Sequence, residues 1–427
     1  MLRLSRRADS LGTENAFVVL AEVNRLMREG QDIVSFCIGQ PDFPTPSHIQ
    51  DAAIDAVRGG KHGYTPSAGI DELRAAAAKS MGALRGLDIA ADEVVVGAGA
   101  KPFIGYTIAS VTDYGAGDEV IFPVPGFPIY ESQIVANGAV PVPLPLSESR
   151  GFAFDPAELA ARIGPKTRLL ILNTPHNPTG GLLSRSDLEA IAQVLRAHPQ
   201  VWVYADEIYS KLVYDGEFSS IAALPGMRER TIISDGASKT YAMTGWRIGF
   251  AANKVLAPAF TRWITNTESC ASQISQWAAV AALTGAQHDA ERMKQSFHRR
   301  RDLIVGLLNE LPGFRCAPPG GAFYAWPNVT EACALVGARD SEELRMRLLR
   351  EAGVAVLADI HFGPRVASDE RRAAPSSPPA PAGGGREATG GVHIRDGQHI
   401  RFSYAASEAA IEDGVRRIEA FMRKGCR

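Results

Sequence analysis

The 427-residue sequence has no run of about 18 apolar residues, the least a membrane-spanning helix needs. Its basic start, MLRLSRRADSLGTEN, is not followed by the apolar segment of a secretory leader. Neither membrane insertion nor secretion is expected. An excess of charge is missing as well: 45 Lys and Arg stand against 47 Asp and Glu, a formal net charge of -2. No field of that size draws nucleic acid or an anionic membrane. Cysteine is sparse. Cys37, Cys270, Cys316, Cys333 and Cys426 are odd in number and contain no C-x-x-C pair, which argues against a disulfide framework and fits a reducing cytoplasm. His62 and the histidines of the repeated HIR triplet, His393 and His399, lack partners at metal-ligand spacing, so no metal is expected. What is present is a hydrophobic content of 45%, enough over this length for a large core and more than one domain, with small molecules as the expected partners.

Along the chain, Val18, Val19, Ala21, Leu26 and Met27 recur at helical spacing over 15–30, and Gly30 is placed to stop that helix. The run IVSFCIG is short, apolar and rich in β-formers, and Pro41, Pro44 and Pro46 after it forbid regular structure, so the stretch reads as a hinge or crossing point. Ser47 is a candidate cap for a helix over 47–58, and 71–85 reads as another. Then strand, turn and helix alternate. EVVVGAG, DEVIFPVPG, RLLILNTP, VWVYADE, RTIISDGASK and GWRIGFAA are short apolar runs, most of them separated by helical stretches, which predicts a mainly parallel sheet covered on both faces. A long helical region over 270–311 precedes a second pattern: strands in GGAFYAWPN, AGVAVLAD and IRFSYAA, with helices around 341–351 and 408–423. That pattern predicts a smaller α+β domain. Residues 366–395 contain SSPPAPAGGGREATGG, too poor in apolar side chains to offset ordering entropy, and are expected to form a flexible insertion.

Four segments carry candidate chemistry. In NTPHNPTG the turn Asn177-Pro178-Thr179-Gly180 follows an apolar strand, where ligands sit in open α/β sheets, although N-P-x-G is also a common plain turn. In ADEIY, Asp206 and Tyr209 are three apart at a strand end and can face one ligand; a helix cap is the ordinary alternative. In SKTYAMTGWRIG, Lys239 follows a strand and Arg247 lies eight positions on. Most lysines are surface residues. A reactive lysine amine needs a depressed pKa, and partial burial beside a cation such as Arg247 acts in that direction. In EVVVGAGAKPF, Gly97-Ala98-Gly99 before a helix can cradle a phosphate, whereas a dinucleotide G-x-G-x-x-G fails at Pro102. Arg299-Arg300-Arg301 reads as a solvated helix face, and the five tryptophans as core or interface residues.

Taken together, IGQPDFPTP, GYTPSAGIDELR, VGAGAKPF, PGFPIYE, NTPHNPTG, ADEIY, SKTYAMTGWRIG, GGAFY and RFSYAAS resemble, in order and over nearly the whole chain, the class I aminotransferases of pyridoxal phosphate (PLP) fold type I, in the aspartate, alanine and aromatic branch. The resemblance implies an α/β fold: a large PLP-binding domain with a mainly parallel seven-stranded sheet over 47–299, and a small α+β domain from 1–46, which carries an N-terminal arm, and 300–427. It implies transfer of an α-amino group from an L-amino acid to a 2-oxo acid by a ping-pong mechanism. The alternative on the same fold is a PLP-dependent C–S lyase; a non-enzymatic regulator is disfavoured because no helix-turn-helix segment precedes Leu11.

By the same resemblance, Lys239 is the lysine that holds PLP as a Schiff base and shuttles the proton, and Asp206 pairs with the pyridinium nitrogen. Tyr209 and Asn177 donate to the 3′-oxygen, and Phe127 stacks on the ring. Gly99, Ala100, Lys101 and Arg247 fall at phosphate-binding positions, with Tyr64 reaching the phosphate across a homodimer interface. Arg401 grips the substrate α-carboxylate, with Gly39 and Asn177 nearby. In some aspartate-specific members a lysine at the position of Lys101 meets the distal carboxylate together with hydroxyl residues of the first segment. Here that segment reads Glu14, Asn15, Ala16, so only one side of an acidic-substrate site is matched.

Overall fold

The computed structural model describes residues 4–9, 11–363 and 397–425; the insertion expected over 366–395 lies outside them. In chain order the strands are β1 (Val34–Ser35), β2 (Val94–Gly97), β3 (Glu119–Val124), β4 (Val140–Pro145), β5 (Thr167–Asn173), β6 (Trp202–Asp206), β7 (Thr231–Gly236), β8 (Gly249–Ala252), β9 (Tyr324–Ala325), β10 (Val354–Ala355), β11 (Leu357–Ala358) and β12 (Ile400–Ser403). Seven form one sheet in the order β2-β8-β7-β6-β5-β3-β4, parallel except where β8 runs against β7 and β2. The expected α/β architecture is therefore present, and the non-sequential strand order requires helical crossovers.

The apolar runs are continuous because both faces of this sheet are covered. Leu169 and Ile171 of β5 enter one core with Val120, Phe122, Tyr204 and Phe260, while Leu170 and Leu172 enter another with Val203, Ala205, Leu188 and Ile191. Fully burying each such side chain stabilises by about 1.5–3 kcal/mol. Strand β4, VPVPLP, has no counterpart among the strands expected from the sequence. It tolerates its prolines because it pairs with β3 alone: Val140 and Leu146 donate their N–H groups to Asp118 and Val124, and the prolines occupy positions between such donors.

The remaining strands make two small sheets, β1 with β10 and β11-β12-β9. They pack with the helices His288–Glu310, Ser341–Ala352 and Glu408–Gly425 around Phe297, Ile304, Leu308, Phe323, Phe402 and Ile411. IVSFCIG forms only the two-residue β1. Two local expectations are corrected. Ser47 is the first residue of its helix and Pro46 the cap. The region 270–311 holds two helices, Gln273–Thr284 and His288–Glu310, separated at Gly285.

The three-arginine run is corrected too. Arg300 and Arg301 are buried; Arg300 makes a two-pronged pair with Asp42 at 2.6 and 3.0 Å, and Arg301 reaches Asp215 and Asp302, leaving Arg299 as the exposed member. A helix repeats every 3.6 residues, so three successive side chains cannot share one face.

Candidate active site

The topology brings one end of each central strand to a common edge. Asn173 of β5 stands opposite Asp206 of β6, Asp206 opposite Ser234 of β7, and Gly236 and Gly97 both stand opposite Gly249. The chain turns beyond this edge form a cavity of about 490 Å³, and β12 adds Arg401 to it from the small sheet. Its walls carry four basic side chains, Lys101, Lys239, Arg247 and Arg401, against two acidic ones, Glu14 and Asp206. A pocket with that balance favours anionic ligands.

Lys239 Nζ faces this space and donates to the Gly39 carbonyl at 2.6 Å. Burial lowers its pKa to about 8, the positive charges of Arg247, Arg401 and Lys101 push the same way, and Glu14 opposes them. Gly39 has no alternative at its position: a Cβ there would lie 1.9 Å from Tyr324 Oη. Asp206 is buried and accepts from Tyr130 Oη at 2.7 Å. Burial raises its carboxyl to about 6, against the pull of that hydroxyl, and a cation placed beside it would lower that value again. Tyr209 Oη is paired with Tyr324 Oη at 2.7 Å.

Asn177 is held by its own turn. Its backbone N–H reaches Asn173 Oδ1 at 2.9 Å, and its side-chain Oδ1 accepts from Arg401 Nη1 at 2.8 Å. Arg401 is buried, its other Nη donates to the Cys37 carbonyl, and its guanidinium lies over the rings of Tyr324 and Phe362 at 4.6 and 4.8 Å. Its Nε is buried and has no partner among the described residues, a donor that an anion would satisfy.

At the other strand ends, Gly99, Ala100 and Lys101 lead into the helix Pro102–Val111, whose N-terminal N–H groups favour an anion. Arg247 stands against them with Nη2 on the Ala98 carbonyl at 3.1 Å. Gly99 (φ +94°) makes room for it, since a Cβ would sit 2.1 Å from Nη2. Arg247 itself has φ 56°, a conformation that costs an ordinary residue about 1–3 kcal/mol and clusters at functional sites. Phe127 completes the wall, with Lys101 Nζ 5.3 Å from its ring centroid.

Gly39, Ala100, Lys101, Phe127, Asn177, Asp206, Tyr209, Lys239, Arg247 and Arg401 thus line one cavity, and Gly99 adjoins it. Tyr64 does not line it: the residue is 90% exposed. Tyr130, Tyr324, Ser238 and Gln40 are wall residues to which the motif reading gave no site role, and Glu14, noted there only as a departure from the acidic-substrate pattern, lines the cavity with them. Tyr130 and Tyr324 stand inside PGFPIYE and GGAFY, so the motifs contained them, but nothing in the spacing showed that they would meet Asp206 and Tyr209.

The sequence matches the family described as aminotransferase class I and II over residues 31–368. It is 37% identical over 424 residues to an aspartate aminotransferase of Geobacillus stearothermophilus, covering 99% of each chain. It is 34% identical to an asparagine–oxo-acid transaminase of Streptococcus mutans, covering 99% of this chain and 100% of that one. The crystal structure of the aspartate aminotransferase from Rhizobium meliloti superposes with a TM-score of 0.86 at 33% identity, with 99% of each chain covered.

Proposed function

Because the chain belongs to the class I and II aminotransferase family and is a PLP-dependent aminotransferase, we propose that Lys239, Asp206 and Arg401 are the working core of its active site. The reaction proposed for that core is transfer of an α-amino group from an L-amino acid to a 2-oxo acid, in two half-reactions. The observation that carries this reading is Lys239, an amine of lowered pKa sharing a cavity with a buried carboxylate and a buried arginine. At a pKa of about 8, roughly one amine in ten is neutral at pH 7, against roughly one in 3,000 for an ordinary lysine. Only the neutral amine is a nucleophile.

The residues fit the cofactor. The excess of basic walls suits a phosphate and a substrate carboxylate, Asp206 suits a protonated ring nitrogen, and the unpartnered Nε of Arg401 suits an anionic oxygen. When bound, PLP supplies an electrophilic carbon for the amino group and a ring that accepts the electron pair left when the substrate Cα–H bond breaks. Gly99, Ala100 and Lys101, through the N-terminus of their helix, and Arg247, through its guanidinium, would hold the phosphate. Phe127 would lie against the ring, and Tyr209 and Asn177 would donate to its phenolic oxygen. Asp206 would pair with the ring nitrogen and keep it protonated. Arg401, with Asn177 and Gly39 beside it, fixes the α-carboxylate so that Cα presents its hydrogen to Lys239 Nζ, which takes that proton and returns it.

We further place 47–299 in the large cofactor-binding domain and 1–46 with 300–427 in the small one; the helix His288–Glu310 runs through that boundary. Lys239 then comes from one domain and Arg401 from the other, an arrangement suited to closure over substrate. The exposed Tyr64 belongs, on this reading, to the active site of a second copy in a homodimer. Cys37, Cys270, Cys316 and Cys333 form no disulfide among the described residues, which supports a cytoplasmic location. Incubation with a ¹⁵N-labelled amino acid and an unlabelled 2-oxo acid tests the function: label should appear in the amino acid formed from the acceptor. Release of pyruvate and ammonia without any acceptor would assign an eliminating enzyme instead.

A further inference from the structure

Glu14 enters the cavity from the segment before the first long helix, Asn15–Arg28, and its Oε2 lies 2.6 Å from Lys101 Nζ. It occupies the N-cap of that helix and makes no side-chain cap bond. The carboxylate is committed to Lys101 instead. Phe17 and Phe127 stand beside the pair, their ring centroids 5.8 and 5.3 Å from Lys101 Nζ. Glu14 and Lys101 line the same cavity as Lys239, Tyr324 and Arg401, and the Tyr324 ring is packed under the Arg401 guanidinium, so the pair borders the space a substrate side chain would enter.

Lys239, Arg247, Arg401 and Asp206 each have a partner under the proposed function, which leaves Glu14 and Lys101 to meet the substrate side chain. Together they present no net charge. A distal carboxylate would have to share Lys101 with Glu14, so that two negative charges would face a single positive one. A carboxamide has an acceptor oxygen for Lys101 Nζ and an N–H donor for Glu14 in one planar group. We propose that Glu14 is a specificity-determining residue which, paired with Lys101, selects substrates whose side chain ends in a carboxamide over those ending in a carboxylate. This rests on the assignment of the cavity as the site of amino transfer.

The test uses calorimetry on the cofactor-loaded protein with two unreactive ligands, succinate and its monoamide succinamate. Succinamate should bind the wild type at least about tenfold more tightly. Glu14→Ala, which sets Lys101 free, should reverse the order, and Glu14→Gln, which keeps the volume, should remove most of the preference. Equal or tighter binding of succinate by the wild type, or an unchanged ratio in both variants, would overturn the proposal. Kinetics give the second readout: kcat/KM for asparagine relative to aspartate should fall at least about tenfold in Glu14→Ala. Failure of the proposed function has a different signature, no nitrogen transfer from any amino acid, and leaves the binding ratios to judge Glu14.

Discussion

Asp206 and Glu207 are adjacent buried carboxylates that meet opposite conditions. Successive side chains at a strand end point to opposite faces of the sheet. Glu207 turns into a closed network: Arg85 Nε reaches it at 2.5 Å and Ser220 Oγ at 2.6 Å, while Arg85 Nη2 reaches Asp235 at 2.7 Å. Burial works against the Arg85 charge, yet Glu207 and Asp235 more than offset it and its pKa is raised. Asp206 takes the Tyr130 hydroxyl and faces the cavity, with burial pushing its carboxyl to about 6. A buried charge with its hydrogen-bonding capacity filled serves the fold. One that keeps capacity open toward a cavity is available for chemistry.

The comparison can be broken by exchanging the effects. Asp206→Asn should lower kcat by about 10³-fold, with urea midpoints unchanged or higher because a buried charge has been removed. Arg85→Ala should do the reverse. It strands two carboxylates away from solvent and should cost about 3–5 kcal/mol of stability in urea titrations, while kcat per folded molecule stays within a few-fold. Loss of turnover without loss of stability in Arg85→Ala would contradict the division.

A smaller effect sharpens the cavity side. Capture of PLP by the apoprotein requires a neutral Lys239, so its rate should rise about tenfold per pH unit below pH 8 and level off above it. Arg247→Ala removes one cation that depresses this pKa and should move the midpoint upward, the burial contribution remaining. The linked stability has a definite sign. Between pH 8 and 10.5 the unfolded lysine holds a proton that the folded one has lost, so the apoprotein should gain stability as pH rises through that window. The smallest effect is at Tyr64: its change to Phe should weaken cofactor binding by about 0.5–1.5 kcal/mol, measured by fluorescence titration.

Much of the large sheet was legible because strands covered on both faces read as unbroken apolar runs, and six of its seven strands announce themselves so. Strand β4 was not, since a proline at every second position contradicts a strand unless its place at the sheet edge is known. Arg300 and Arg301 were misread for a related reason: their partners Asp42 and Asp215 are remote in the sequence, and only the fold brings them together. At the site, spacing raised Lys239 with Arg247 and Asp206 with Tyr209 only as candidates, beside the ordinary readings of a surface lysine and a helix cap. Arg401, Phe127 and Tyr64 followed from resemblance, and the Tyr130–Asp206 bond from coordinates. Local pattern reports burial and turns. Convergence across 224 residues, as between Asn177 and Arg401, is written only in the fold.

The central claim is that Lys239 is the amine through which the cofactor is held and the nitrogen is moved. An absorption spectrum of the purified protein, recorded before and after adding single amino acids and repeated with Lys239→Ala, tests it most directly. The wild type should show a visible cofactor band that converts to the amine form of the cofactor on addition of a donor, whereas Lys239→Ala should lose conversion by at least about 10⁴-fold in rate. A wild-type protein with no cofactor band even after PLP is supplied, or a Lys239→Ala variant that converts it at the wild-type rate, would contradict the account.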